Sequence, residues 1–175
     1  MKVKNRSANV VVYTIADLNV RRRFSPSEIK DLDKIEIEKL LYQPGGRELF
    51  INNLQVSAED MRSLGFGDQE PEYFYSAEDI QKLMVSGGYE EFLDFLDFAP
   101  EGGLSIVKDL AIKLPLADMN KAEAIKKVTG FDVMKAIAND QAVKKDLNGA
   151  QDTPTETRTR RVAIKEEPKY KVISE

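Results

Sequence analysis

No cysteine, histidine or tryptophan occurs in the 175 residues of this chain. Thiolate and imidazole metal sites, Cys and His nucleophiles and serine–histidine triads are therefore excluded, as is the usual general base near neutral pH. Disulfides cannot form. Long apolar runs are lacking too: none approaches the ~20 residues of a membrane-spanning helix, and no basic start followed by an apolar stretch marks a signal peptide. The expectation is a soluble chain in cytoplasm-like conditions, without a cofactor and without a membrane partner.

What is present argues for real folding. Hydrophobic residues make up 42% of the chain, enough at this length for one ordinary core or two small ones. The net charge of −4 conceals a segregation. Residues 1–30 carry seven basic and two acidic side chains, residues 31–101 five basic and seventeen acidic, and residues 102–147 eight basic and six acidic. A basic head followed by a strongly acidic middle suits contact between copies, or docking on an oppositely charged partner, because fields of one sign orient association.

The run Asn9 to Ile15 is β-branched and aromatic and reads as a strand. A turn at Asp17 to Asn19 leads to Val20–Phe24, which can pair with it, and Ile29 and Leu32 offer a short third strand. Asp33 is placed to cap a helix over Lys34 to Leu41. Pro44-Gly45-Gly46 is a turn, followed by a short helix over Arg47–Asn53 and a brief strand over Leu54 to Val56. Ser57 with Asp60, and Ser76 with Asp79, have the spacing of helix N-termini. Gly65 and Gly87-Gly88 stand where positive-φ helix ends belong. Helices are expected over Ala77–Val85, Tyr89–Phe98, Gly103–Lys113, Lys121–Val128 and Phe131–Leu147. The predicted architecture is α+β: a small β-rich unit over 1–56, a helical domain over 57–147 and an extended arm over 148–175.

Four patterns carry potential chemistry. Glu90, Asp94 and Asp97 share one helix face, which permits a shared divalent ion but reads more simply as a solvated acidic face opposite the stripe of Phe92, Leu93, Phe95, Leu96 and Phe98; alternatively Phe92, Phe95 and Phe98 enter a partner's groove with the acids as rim. Arg21, Arg22 and Arg23, if extended, project to alternating faces, so at most two can grip one surface. With a sequence pI near 5.1, carboxylates of a neighbouring subunit are better partners for them than a nucleic acid. Gly45-Gly46 and Gly102-Gly103 invite a phosphate reading at helix starts, yet lack the Lys-Ser/Thr of a P-loop, and turn chemistry accounts for both. Finally, Asn148 to Arg161 has almost no apolar side chain to offset the entropy of ordering, whereas Val162, Ile164, Tyr170, Val172 and Ile173 can be buried. The polar part, with Arg158, Arg160 and Arg161, is expected to tether, and the apolar part to dock on another chain by strand addition.

The strings Asn5-Arg6-Ser7 with Val11–Ile15, Arg22-Arg23-Phe24 with Pro26 and Glu28, Tyr42–Gly46, Phe95–Gly102 and Thr129–Val133 resemble a group of small proteins encoded by tailed bacteriophages and prophages, mostly of Gram-positive hosts. The resemblance spans most of residues 5–140 and brings no catalytic signature. It implies a phage origin and a virion component. The expected function is that of a non-enzymatic structural or accessory protein, present in many copies or as a homo-oligomer. It would bind capsid, neck or tail proteins, residing in the virion and, before assembly, in the host cytoplasm. The alternative is an adaptor or regulator that binds a host protein or nucleic acid during infection.

Overall fold

The computed structural model describes residues 1–149 apart from 115 and 117. The fold is α+β. Among the described residues, two small antiparallel sheets lie at the N-terminus and helices follow them.

The first sheet element in the chain is one that the sequence reading lacks: β1, Lys2–Asn5, is the middle strand of a three-stranded sheet, between β4 (Ile29–Asp31) and β5 (Leu54–Gln55). β2 (Val11–Ile15) and β3 (Val20–Phe24) form a separate hairpin, closed by a 3-10 turn over Ala16–Leu18 and by Asn19 at φ 49°. Asn tolerates this left-handed conformation because its short polar side chain can bond locally. Alternation along the hairpin is strict. Val11, Tyr13 and Ile15 are buried on β2 while Val12 and Thr14 face out, and the register sets Tyr13 opposite Arg22, Val12 opposite Arg23 and Thr14 opposite Arg21.

Then come α1 (Lys34–Tyr42), α2 (Gly46–Asn53), α3 (Ala58–Ser63), a 3-10 turn at Pro71–Phe74, α4 (Ala77–Ser86), α5 (Tyr89–Phe98), α6 (Glu101–Lys113), α7 (Met119–Thr129) and α8 (Val133–Gly149). Ser57 and Ser76 accept the backbone N–H of Asp60 and Asp79, and at α4 the Asp79 carboxylate accepts the Ser76 N–H in return, a complete capping box. Gly65 takes φ +76° as expected. Gly87 does not: its φ is −70°, and glycine is needed because a Cβ would stand 2.6 Å from the Leu83 carbonyl oxygen. The same reason holds at Gly102 in the first turn of α6, where a Cβ would meet the Asn52 carbonyl oxygen at 2.5 Å and the Arg6 Cγ at 2.9 Å. Its smallness lets α6 seat against the end of α2.

The described residues form two cores. The first gathers Val3, Tyr13, Phe24, Ile37, Phe50, Leu54, Met61 and Tyr73; the second gathers Ile80, Met84, Phe92, Phe95, Val107, Ile125 and Val133. Phe74 packs on the first and Tyr75 on the second. The expected boundary at residue 56 therefore does not coincide with the division between cores, because α3 and the 3-10 turn close the β unit from beyond it.

Candidate interaction surface

Charged and polar side chains in this fold separate into those consumed by its interior and those left outside. The largest interior group follows β1. Asn5 is fully buried: its Nδ2 donates to the carbonyls of Asn9 (2.8 Å), Ser25 (3.0 Å) and Phe24 (3.3 Å), and its Oδ1 accepts the Ser7 N–H (2.9 Å). The Ser7 hydroxyl lies 3.0 Å from that of Ser105 on α6, which accepts the Ala8 N–H and donates to the Gly102 carbonyl. Between them Arg6, 4% exposed, sets its guanidinium 4.4 Å from the centre of the Tyr73 ring and donates Nη2 to the Glu72 carbonyl at 3.4 Å. Burial lowers its pKa to about 10 against the opposing pull of Tyr73, and Nε and Nη1 have no hydrogen-bond partner among the described residues. Asn5-Arg6-Ser7 thus binds sheet, hairpin and α6 together. The sequence reading missed that role, although Asn followed two residues later by Ser at a strand end is a turn signal.

A second interior group explains the middle residue of the arginine run. Glu36 on α1 is buried; Arg22 donates Nε to its Oε1 and Nη2 to its Oε2, both at 2.8 Å, and the Tyr13 hydroxyl donates to Oε1 at 2.8 Å. The hydrogen bonds from Arg22, foremost, and from Tyr13 hold the Glu36 carboxyl below the usual carboxylate range, while burial and the Glu36 bond push the Tyr13 phenol up. The expectation that Arg22 faces a partner is accordingly corrected: its guanidinium belongs to a fork pairing with Glu36 of the same chain.

A pH dependence follows. Because the folded-state pKa of Glu36 is depressed, its contribution is complete above the ordinary value of about 4.3 and is lost as pH falls through the lower folded value. Melting temperatures followed from neutral pH down to about pH 2 should fall less steeply for Glu36→Gln, which is also less stable at neutral pH. Part of the slope persists, since Asp79 and Asp132 are depressed as well, Asp79 chiefly by the Ser76 hydroxyl and Asp132 chiefly by Lys126. Parallel curves would exclude this role.

Arg21 and Arg23 are the outer arginines. They stand on the exposed face of the hairpin beside Thr14 and Val12, and neither has an ion pair among the described residues. Two residues apart on one strand, they are about 7 Å apart along it. The acidic helix presents a second outer set: Glu90, Glu91, Asp94 and Asp97 of α5 are exposed, while Phe92, Phe95 and Leu96 lie in the second core. Phe92 and Phe95 are thus not available to a partner's groove; Phe98, 58% exposed, is. Among the described residues no cluster of three or more carboxylates is placed to hold a metal ion, and no helix is long and apolar enough to cross a membrane. Arg158, Arg160, Arg161, Val162, Ile164, Tyr170, Val172 and Ile173 lie outside the described residues.

Comparison with protein-family models, with curated proteins and with solved structures finds no match to this chain.

Proposed function

We propose that this protein works by contact: a structural or accessory component of a tailed phage particle that grips an acidic protein surface with the outer face of its β2–β3 hairpin. The observation that carries the reading is the separation within the arginine run. Arg22 turns inward to Glu36, whereas Arg21 and Arg23 stand exposed, side by side and without an ion pair among the described residues. A guanidinium presents a rigid fork of donors suited to carboxylates, and two of them on a strand held against a packed core form a preorganised pair. The resemblance to phage-encoded proteins supplies the setting, a particle in which the protein stands beside capsid, neck or tail proteins.

The test is the double variant Arg21→Ser/Arg23→Ser, with Arg22 retained so that Glu36 keeps its partner. Both positions are exposed, so the melting temperature should stay within the small range of surface substitutions, about 0.5 kcal/mol in stability. The amount recovered in purified particles should fall about tenfold, and what remains should lose most of its salt sensitivity, because exposed charges are screened over about 10 Å at 0.1 M salt. Wild-type recovery with unchanged salt dependence would overturn the reading.

A further inference from the structure

We infer that the acidic surface gripped by the hairpin is the α5 face of a second copy of this chain, so that copies associate head to tail. The inference rests on the hairpin being a contact surface and names its partner. Three features of the molecule point to it.

The first is pairing of what is unpaired. Arg21 and Arg23 carry no ion pair among the described residues, and neither do Glu90, Asp94 or Asp97. Other carboxylates, such as Asp31, Glu48 and Glu59, also lack one among the described residues; what sets the α5 acids apart is that they stand in a row on one exposed helix face. The α5 acids are thus a row left unneutralised in the same molecule that leaves two arginines unneutralised.

The second is spacing. Arg21 and Arg23 are about 7 Å apart along their strand. Glu90 and Asp94 are one helical turn apart, a rise of about 6 Å, and Asp97 continues the row. A strand laid along α5 can therefore place each guanidinium fork on a carboxylate of its own.

The third is what borders the charges. Val10 and Val12 are 45% and 43% exposed beside the arginines. On α5, Tyr89 and Phe98 are 42% and 58% exposed, and at about 3.6 residues per turn they fall on opposite flanks of the acid row. Tyr89 and Asp97 also line a cleft of about 360 Å³ between α5 and α7, with Lys127 the one cation in its lining. Each surface is a charged row with an apolar margin, and the signs are opposite. The two surfaces differ, so the contact is heterologous: it leads to rings or open chains rather than to a twofold dimer. Exposed ion pairs are individually weak, so the association is expected at high protein concentration and low salt.

The experiment uses the full chain. Sedimentation velocity at about 0.05 M salt, with protein raised to about 1 mM, should show the weight-average mass of the wild type increasing, and about 0.5 M salt should abolish the increase. R21E/R23E alone and D94K/D97K alone should remain monomeric. Mixed in equal amounts they should associate again, since each then offers the surface the other needs. Asp94→Asn/Asp97→Asn, a milder change, should weaken association of the wild-type hairpin about tenfold or more. A wild type that stays monomeric over this range overturns the inference, as does association that survives both reversals or a mixture that fails to associate. If the wild type is monomeric while Arg21→Ser/Arg23→Ser still loses particle recovery, a different protein occupies the hairpin: the self-association falls and the contact reading stands. If recovery is also unaffected, both fall.

Discussion

Asn5→Ala is expected to lower the unfolding free energy by about 3–5 kcal/mol, the upper range for one substitution. For a chain of this length that corresponds to a fall in melting temperature of roughly 6–20 °C. The reason is the number of groups that depend on one amide. Removal of the Asn5 side chain takes a donor from the carbonyls of Asn9, Phe24 and Ser25, the last of which keeps the Glu28 N–H, and takes the acceptor from the Ser7 N–H. Each orphaned buried polar group costs about 1–3 kcal/mol, reduced where water can enter. The backbone of the same residue accepts the Ser27 N–H and donates to the Glu28 carbonyl, so the side chain and main chain of Asn5 together hold the exit of the hairpin against β1. Asn5→Asp separates this account from mere loss of volume. Asp keeps the acceptor for Ser7 but sets a carboxylate against three carbonyl oxygens, and should be at least as destabilising as Ala. A well-tolerated Asp would show that the donated bonds contribute little. Thermal and urea unfolding of the two variants beside the wild type give the comparison.

Much of the fold was legible where local signals suffice. The strand at Val11–Ile15 is β-branched and aromatic, the serine-and-acid pairs mark helix starts, and Pro100 and Gly130 bracket helices that occur close to where spacing put them. β1 was not legible. Its four residues contain one apolar side chain, Val3, and its place in the sheet is set by Ile29–Asp31 and Leu54–Gln55, distant in sequence. The boundary expected at residue 56 differs from the division between cores for a related reason: Met61 and Tyr73 fall in the stretch expected to belong to the helical domain, and the Tyr73 hydroxyl donating to the Leu54 carbonyl ties that stretch back to the first core.

At the surface, strand alternation foretold that adjacent arginines would diverge, and they do. That Arg22 would be the inward one could not be read, because Glu36 lies on a helix and the pairing is non-local. Nothing in the sequence distinguishes a buried lysine from a surface one.

Lys121 is that lysine, and Lys121→Met is expected to remove about 2–4 kcal/mol. Its side chain is buried at the start of α7, with Nζ donating to the carbonyls of Leu83 (3.0 Å), Met84 (3.0 Å) and Gly87 (2.8 Å), and 5.5 Å from the centre of the Phe92 ring. These carbonyls close the C-terminus of α4, where the helix dipole is negative and a cation is favoured. One ammonium with three donors matches three acceptors, and in doing so ties α4 to α7 across the second core. Met retains the length and apolar stem of the residue, so its loss of stability reports the ammonium rather than a cavity. Lys127→Met on the same helix, at an exposed position, should change stability by no more than about 0.5 kcal/mol. The buried site is shielded from counterions, so the loss at Lys121 should be similar at low and high salt. Association through Arg21 and Arg23 should instead weaken as salt rises. Equal stability of Lys121→Met and wild type in urea unfolding would refute the capping role; a loss that vanished at high salt would mean that the ammonium is not buried as described.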